Sequence, residues 1–144
     1  MGADIETAYT TDIQVRFRDI DPLSHVSHTV YLDYMQQARL EFSEEVLGLG
    51  ESPYDTVVAH VEIDYEGELL RENDVTVETW ITDVGSSSFT MAYAVLADGE
   101  RAATGESVQV LIDVETGDTT GVPPEWRETF DRYRPDGEVV DAAE

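Results

Sequence analysis

Between Phe17 and Phe42 the chain reads FRDIDPLSHVSHTVYLDYMQQARLEF, and Asp19, Asp21, His25 and His28 crowd its first half. Carboxylates and imidazoles in such a cluster serve as general acids and bases, as nucleophiles, or as metal ligands. The second half has helical periodicity. A helix N-terminus presents backbone N–H groups without intrahelical partners, at the positive end of the helix dipole. Asp21 falls in the loop just before that helix, where a carboxylate can act as a nucleophile or activate a water. Amides near Ser27, His28 and Thr29 can hold an oxygen as it gains charge. His25 is expected to orient the loop or to contact Asp21, and His28 to face substrate. Plainer roles exist: Asp before a helix often forms a cap or an Asx-turn, and Asp19 suits pairing with an Arg. No His-x-x-x-His or matched second ligand set accompanies the cluster, so no metal site is expected.

The elements that must position these residues follow from periodicity. Residues 1–9 are polar and expected to be loose. TDIQVRFRDI alternates, with Ile13, Val15 and Phe17 on one face, which predicts a strand ended by Asp21-Pro22. Tyr31, Tyr34, Met35, Ala38, Phe42, Val46 and Leu47 recur at three- and four-residue steps and predict one long helix, with Ser27 as N-cap and Gly48 and Gly50 at its end. Four alternating runs follow. Their expected inward faces are Val57, Ala59, Val61, Ile63 and Tyr65; Val75, Val77, Thr79 and Ile81; Phe89, Met91, Tyr93 and Val95; and Val108, Val110, Ile112 and Val114. Asp98-Gly99 marks a hairpin. Pro123-Pro124 opens a short segment through Trp126 and Phe130, and an acidic tail, 135–144, is expected to be loose. One strand, one helix and a four-strand meander imply an α+β domain over residues 10–134, a five-stranded antiparallel sheet wrapped around the helix. Open sheet edges with apolar residues invite pairing with a second copy about a two-fold axis.

Composition narrows the function classes. The 144 residues hold 32 acidic side chains against 8 basic ones, all Arg, for a formal charge of −24, and Cys is absent. Disulfides and thiolate chemistry are excluded. The lack of a basic patch argues against nucleic acid and anionic lipid, and no apolar run approaches the ~20 residues of a membrane span. No secretory signal pattern opens the chain, so a cytoplasmic location is expected. Charge repulsion on this scale fades at about 1 M salt, where the Debye length is ~3 Å, and the composition resembles that of haloarchaeal proteins.

The run VRFRDIDPLSHVSHTVYLDYMQQAR also resembles the signature of hot-dog-fold acyl-CoA thioesterases, the 4-hydroxybenzoyl-CoA thioesterase-like group. Its members read Asp-x-Asp, two residues, Gly-His-Val-Asn-Asn, then Tyr and an Ala-Arg pair; here stand Asp19, Asp21, His25-Val26, Tyr31 and Ala38-Arg39. GELLRENDVTVETWITDVGSSSFTMAY and ATGESVQVLIDVETG resemble later strands, so the likeness spans roughly residues 11–130. The resemblance implies a hot-dog fold, Asp21 as the catalytic carboxylate, and a homodimer or homotetramer with sites at the subunit interface. It implies an acyl-CoA substrate, coenzyme A being part of that substrate and no separate cofactor being needed. It places Ser87 and Ser88 along the acyl or pantetheine path. Tyr31 and Tyr34 read as helix core or as pocket wall, and a lining of Tyr31, Tyr34 and Phe89 would permit an aryl acyl chain. Arg71 and Arg101, at strand-terminal turns, are the candidate partners of the CoA phosphates, and either equally suits a surface ion pair. The chain departs from the signature at Ser24 for Gly, at Ser27-His28 for the Asn pair, and at Gln36-Gln37 where many relatives carry Glu, which leaves Glu41 as the helix carboxylate that could otherwise serve. Two other readings fit the same residues: hydration or dehydration of an acyl thioester using a His with a carboxylate, and a non-catalytic module that binds acyl-CoA or a partner.

Overall fold

A computed structural model describes residues 8–135. The expected loose segments, 1–9 and 135–144, lie outside the described residues except at their inner ends. There Tyr9 opens a strand and stacks edge-on against Phe42 and Tyr133, and Pro135 is buried.

The chain runs β1 (Tyr9–Ile13), a 3-10 turn (Phe17–Asp19), α1 (Val30–Glu45), a second 3-10 turn (Leu49–Glu51), β2 (Tyr54–Tyr65), β3 (Val75–Val84), β4 (Ser88–Ala97), β5 (Glu100–Asp113) and α2 (Pro124–Arg132). The strands form one antiparallel sheet in the order β1-β3-β4-β5-β2. α1 crosses the concave face and buries Tyr31, Tyr34, Met35, Ala38 and Phe42 there, the residues of its apolar stripe. This is the expected α+β architecture, five antiparallel strands around one long helix. Gly105 lets helix and sheet meet closely: a Cβ at that position would lie 2.7 Å from the Glu62 carbonyl oxygen and 2.9 Å from the Met35 methyl. α2, opened by Pro124 at its first turn, closes one end of the core with Trp126 and Phe130 packed on Phe89.

The first strand is shorter than its alternation predicts. Asp19 turns inward, accepts the Arg16 amide at 2.9 Å, and ties the chain into the 3-10 turn, so Phe17 is 76% exposed and is not on the face of Ile13. α1 likewise begins later than expected. Thr29 occupies the cap position without a side-chain bond, while Ser27 contributes its carbonyl to the Val30 amide at 2.9 Å.

The register corrects two strand faces. In β5 the residues opposite the core-facing Val95, Tyr93, Met91 and Phe89 are Ala103, Gly105, Ser107 and Gln109. The concave side of β5 is thus partly polar, and Val108, Val110 and Ile112 lie on the convex side, with Val114 beyond the strand and exposed. In β2 a bulge between Val58 and His60 divides the expected face. Val57 pairs with Val110 on the convex side, whereas Val58, Val61, Ile63 and Tyr65 sit opposite Gln109, Ser107, Gly105 and Ala103. Bulges re-aim side chains in this way. β2 is an edge strand, and Val57, Val58, Val61 and Tyr65 are all exposed.

Candidate active site

The loop between β1 and α1 folds into a small antiparallel hairpin, held by a bridge between Ile20 and Val26. Asp21 organises its tip. One carboxylate oxygen, Oδ1, accepts the amides of Leu23 at 2.9 Å and His25 at 3.1 Å, and the Asp21 amide donates to the His25 carbonyl at 2.8 Å. The expected Asx-turn is therefore present, and the other oxygen, Oδ2, has no protein partner among the described residues. Ser24 stands where the resembling family has Gly, and it adopts the left-handed conformation that position calls for, at φ 71°.

Asp19 has a different environment. It is 2% exposed and accepts the Arg16 amide, the Arg16 guanidinium at 3.1 Å and the Tyr34 hydroxyl at 2.7 Å. Burial alone would push its carboxyl up, but these three donors outweigh that and hold it below the usual range. Burial and the Asp19 carboxylate in turn raise the Tyr34 hydroxyl far above its ordinary value, so it stays protonated and donates. The Asp-x-Asp pair thus divides into a buried anchor and a half-buried loop carboxylate. Tyr34, expected as helix core or pocket wall, is fully buried and anchors Asp19.

The histidines do not converge on Asp21. The His25 ring meets Glu68 at 3.1 Å, and its backbone bridges to Leu70. His28 is exposed; its carbonyl accepts the Tyr65 hydroxyl at 2.7 Å, and its ring lies edge-on to the Tyr65 ring. Tyr31 is buried against Tyr65, with its hydroxyl donating to the Gly67 carbonyl at 3.3 Å. Of the three amides expected to hold an oxyanion, that of Ser27 is taken by the Asp19 carbonyl at 2.9 Å. Those of His28 and Thr29 make no hydrogen bond among the described residues.

Both candidate phosphate partners lie at this end of the sheet. Arg71 follows Leu70, the partner of His25, and its guanidinium sits 5.4 Å from the centre of the exposed Phe17 ring. Arg101 is ion-paired to Glu66 at 2.9 Å. The serine run lies elsewhere. Ser88 pairs with Val110 and the Ser87 carbonyl accepts the Leu111 amide, seven strand positions or ~24 Å along β5 from the Ala103 level where Tyr65 sits. Phe89 is core, packed against Phe130 and Trp126. Ser87, Ser88 and Phe89 are therefore remote from Asp21 of the same chain.

Sequence reasoning missed Glu68 and Tyr65, which hold the two histidines, because nothing local marks them. It also missed an open cavity of about 210 Å³ beside α1, into which Gln36 and Arg39 face from the helix. Glu41, a further turn along, is exposed and is not part of its wall. No group of three or more His, Cys, Asp or Glu side chains placed to hold a metal occurs among the described residues, and no helix there is long and apolar enough to cross a membrane.

Comparison with known proteins agrees with this fold. Residues 15–130 match the family model described as the thioesterase-like superfamily. A thioesterase from Thermus thermophilus, crystallised with coenzyme A and Zn, is 34% identical; the similarity covers 93% of this chain and 99% of that one, with a TM-score of 0.77. A predicted thioesterase from Bacillus stearothermophilus is 26% identical over 90% of this chain and 99% of its own, with a TM-score of 0.79. The uncharacterized protein YsmA of Bacillus subtilis is 26% identical over 125 residues, 85% of each chain. The chain described here belongs to the thioesterase-like superfamily.

Proposed function

We propose that the protein hydrolyses acyl-CoA thioesters, with Asp21 as nucleophile or general base and the His28 and Thr29 amides as oxyanion donors. One observation carries this reading: the Asp21 carboxylate is fixed through a single oxygen at the tip of a hairpin turn, its second oxygen has no partner among the described residues, and the same loop leads to the His28 and Thr29 amides before α1, which make no hydrogen bond among those residues either. Preorganised donors of this kind stabilise charge that develops on a carbonyl oxygen. As nucleophile, Asp21 adds to the thioester carbon, the C–S bond breaks, CoA leaves as the thiolate, and water hydrolyses the mixed anhydride to regenerate the carboxylate. As base, it takes a proton from the water that attacks instead. His25, turned toward Glu68, positions the loop, and His28 forms the rim of the site with Tyr65. Arg71, held near the loop and stacked on Phe17, is the cation best placed for a CoA phosphate; the CoA in the Thermus relative is consistent with that substrate. The exposed β2 edge favours a two-fold dimer in which Ser87 and Ser88 of one copy approach the site of the other, since they are remote from their own.

The test is a thiol-release assay across acetyl, medium-chain, long-chain and aryl CoA esters in about 2–3 M KCl, where charge repulsion is screened. Turnover of at least one class is expected. Tight binding of the esters with no thiol released from any of them would convert the reading to a binding module.

A further inference from the structure

We propose that Tyr65 is a positioning residue for thioester hydrolysis: its hydroxyl holds the His28 carbonyl and thereby aims the Thr29 amide at the oxygen that gains charge. The proposal deepens the thioesterase reading and rests on it. The amide of a residue shares one planar unit with the carbonyl of the residue before it, and in a trans peptide the two point in opposite directions. No peptide bond among the described residues is cis. A group that grips the carbonyl therefore sets the direction of the N–H. Two such units carry the proposed oxyanion donors, and both are gripped. In the unit joining Ser27 to His28, the carbonyl accepts the Val30 amide at 2.9 Å, a contact within the turn that leads into α1. In the unit joining His28 to Thr29, the carbonyl lies ahead of α1 and accepts no backbone amide among the described residues. Its donor is the Tyr65 hydroxyl, at 2.7 Å and 37 residues away in the chain.

Tyr65 is braced for this contact. Its ring stands edge-on to the Tyr31 ring at 5.0 Å and to the His28 ring at 6.2 Å between centres. Tyr31, buried on α1, donates in turn to the carbonyl of Gly67, two residues beyond Tyr65. Burial raises the Tyr65 hydroxyl above its ordinary value, so it remains a donor at neutral and mildly basic pH. A hydrogen bond accepted at one end of a peptide also polarises it and strengthens the N–H at the other end.

The loop does not depend on that hydroxyl for its docking. The Val26 amide donates to the Leu69 carbonyl at 2.8 Å, and His25 forms a backbone bridge to Leu70. Removing the Tyr65 hydroxyl therefore frees one peptide unit while the loop stays seated. A misaimed amide matters most when the oxygen is charged, so the loss falls on the reaction step and not on binding of the ester. Removing an oxyanion donor outright costs about 10²–10³ in rate; a donor that is present but no longer held costs less.

The experiment compares wild type with Tyr65→Phe by single-turnover thiol release from the best CoA ester in about 2–3 M KCl. The rate at saturating ester should fall about tenfold, and the half-saturating concentration should stay within about twofold. The variant keeps the ring, so Tm should stay within about 4 °C; because β2 is an edge strand, assembly mass is measured by sedimentation and should not change. A rate loss below about threefold overturns the inference and leaves the thioesterase reading standing. A half-saturating concentration raised beyond twofold also overturns it, since Tyr65 would then bind the ester. So does a larger fall in Tm or a changed mass, which would make Tyr65 a support of the fold or of an interface between copies. No turnover of any ester by wild type overturns both.

Discussion

Replacing Asp19 by Asn should destabilise the fold without touching the chemistry assigned to Asp21. The Asp19 carboxylate accepts the Arg16 amide, the Arg16 guanidinium and the Tyr34 hydroxyl in a site that excludes water. Hydrogen bonds to a charged group contribute about 1.5–3 kcal/mol each. Asn keeps one acceptor oxygen, so the bonds from the Arg16 amide and Tyr34 can persist in weaker, uncharged form, whereas its N–H₂ must face the guanidinium. That guanidinium is 40% exposed, so its share is discounted for solvent screening. The net loss is about 2–3 kcal/mol, and at about 3–5 °C per kcal/mol for a domain of this size Tm should fall by ~6–15 °C. The sign of the pH dependence follows from the lowered carboxyl. Its stabilisation is present above the unfolded-state value, about 3.9, and is lost as pH falls through the folded value. The difference between wild type and variant, measured by thermal circular dichroism, should therefore be full near neutrality and shrink in acid below about pH 4. A variant that melts within 2 °C of wild type at pH 7, or a difference that grows in acid, would refute the anchoring role.

Three further outcomes are expected. Ser24→Gly should raise stability by about 0.5–1 kcal/mol, because Ser24 holds a left-handed conformation at φ 71° that costs a side-chain-bearing residue about 1–2 kcal/mol; chemical denaturation will read it, and a loss would show that the Ser24 side chain makes an unrecognised contact. The formal charge of −24 predicts a Tm that climbs between about 0.1 and 2 M KCl and then levels, as screening removes self-repulsion; a flat or falling curve would remove the case for adaptation to salt. Charging the open edge strand with Val57→Lys and Val58→Lys together should halve the assembly mass in sedimentation if β2 joins two copies, and an unchanged mass would move the interface elsewhere.

Much of this molecule is legible in its sequence because one signal dominated at each point. The stripe from Tyr31 to Phe42 is a single apolar face with carboxylates opposite it, and it packs as its spacing implies. The strands of the meander and the Asp98-Gly99 turn follow from alternation and turn chemistry. The faces of β2 and β5 were not legible, for a physical reason. Alternation marks the buried face only when the other face is wet, and here the convex side also carries Val57, Val108, Val110 and Ile112 while the concave side carries Ser107 and Gln109. One extra residue at Ala59 then reverses half of β2, and no residue type announces it. At the site, the position of Asp21 in the loop was readable from its place before the helix. Its partition from Asp19 rests on Arg16 and Tyr34, 3 and 15 residues away in the chain, and the capture of His25 and His28 by Glu68 and Tyr65 depends on contacts across 43 and 37 residues that no local pattern encodes.

Asp21→Asn is the most direct probe, because Asn retains the oxygen that the Leu23 and His25 amides require while it abolishes the carboxylate. Thiol release from the best CoA ester, measured beside a thermal melt, should drop by at least about a hundredfold with Tm held within about 2 °C of wild type, a change well under 1 kcal/mol. Turnover within threefold of wild type in that well-folded variant would contradict the assignment of Asp21 as nucleophile or base.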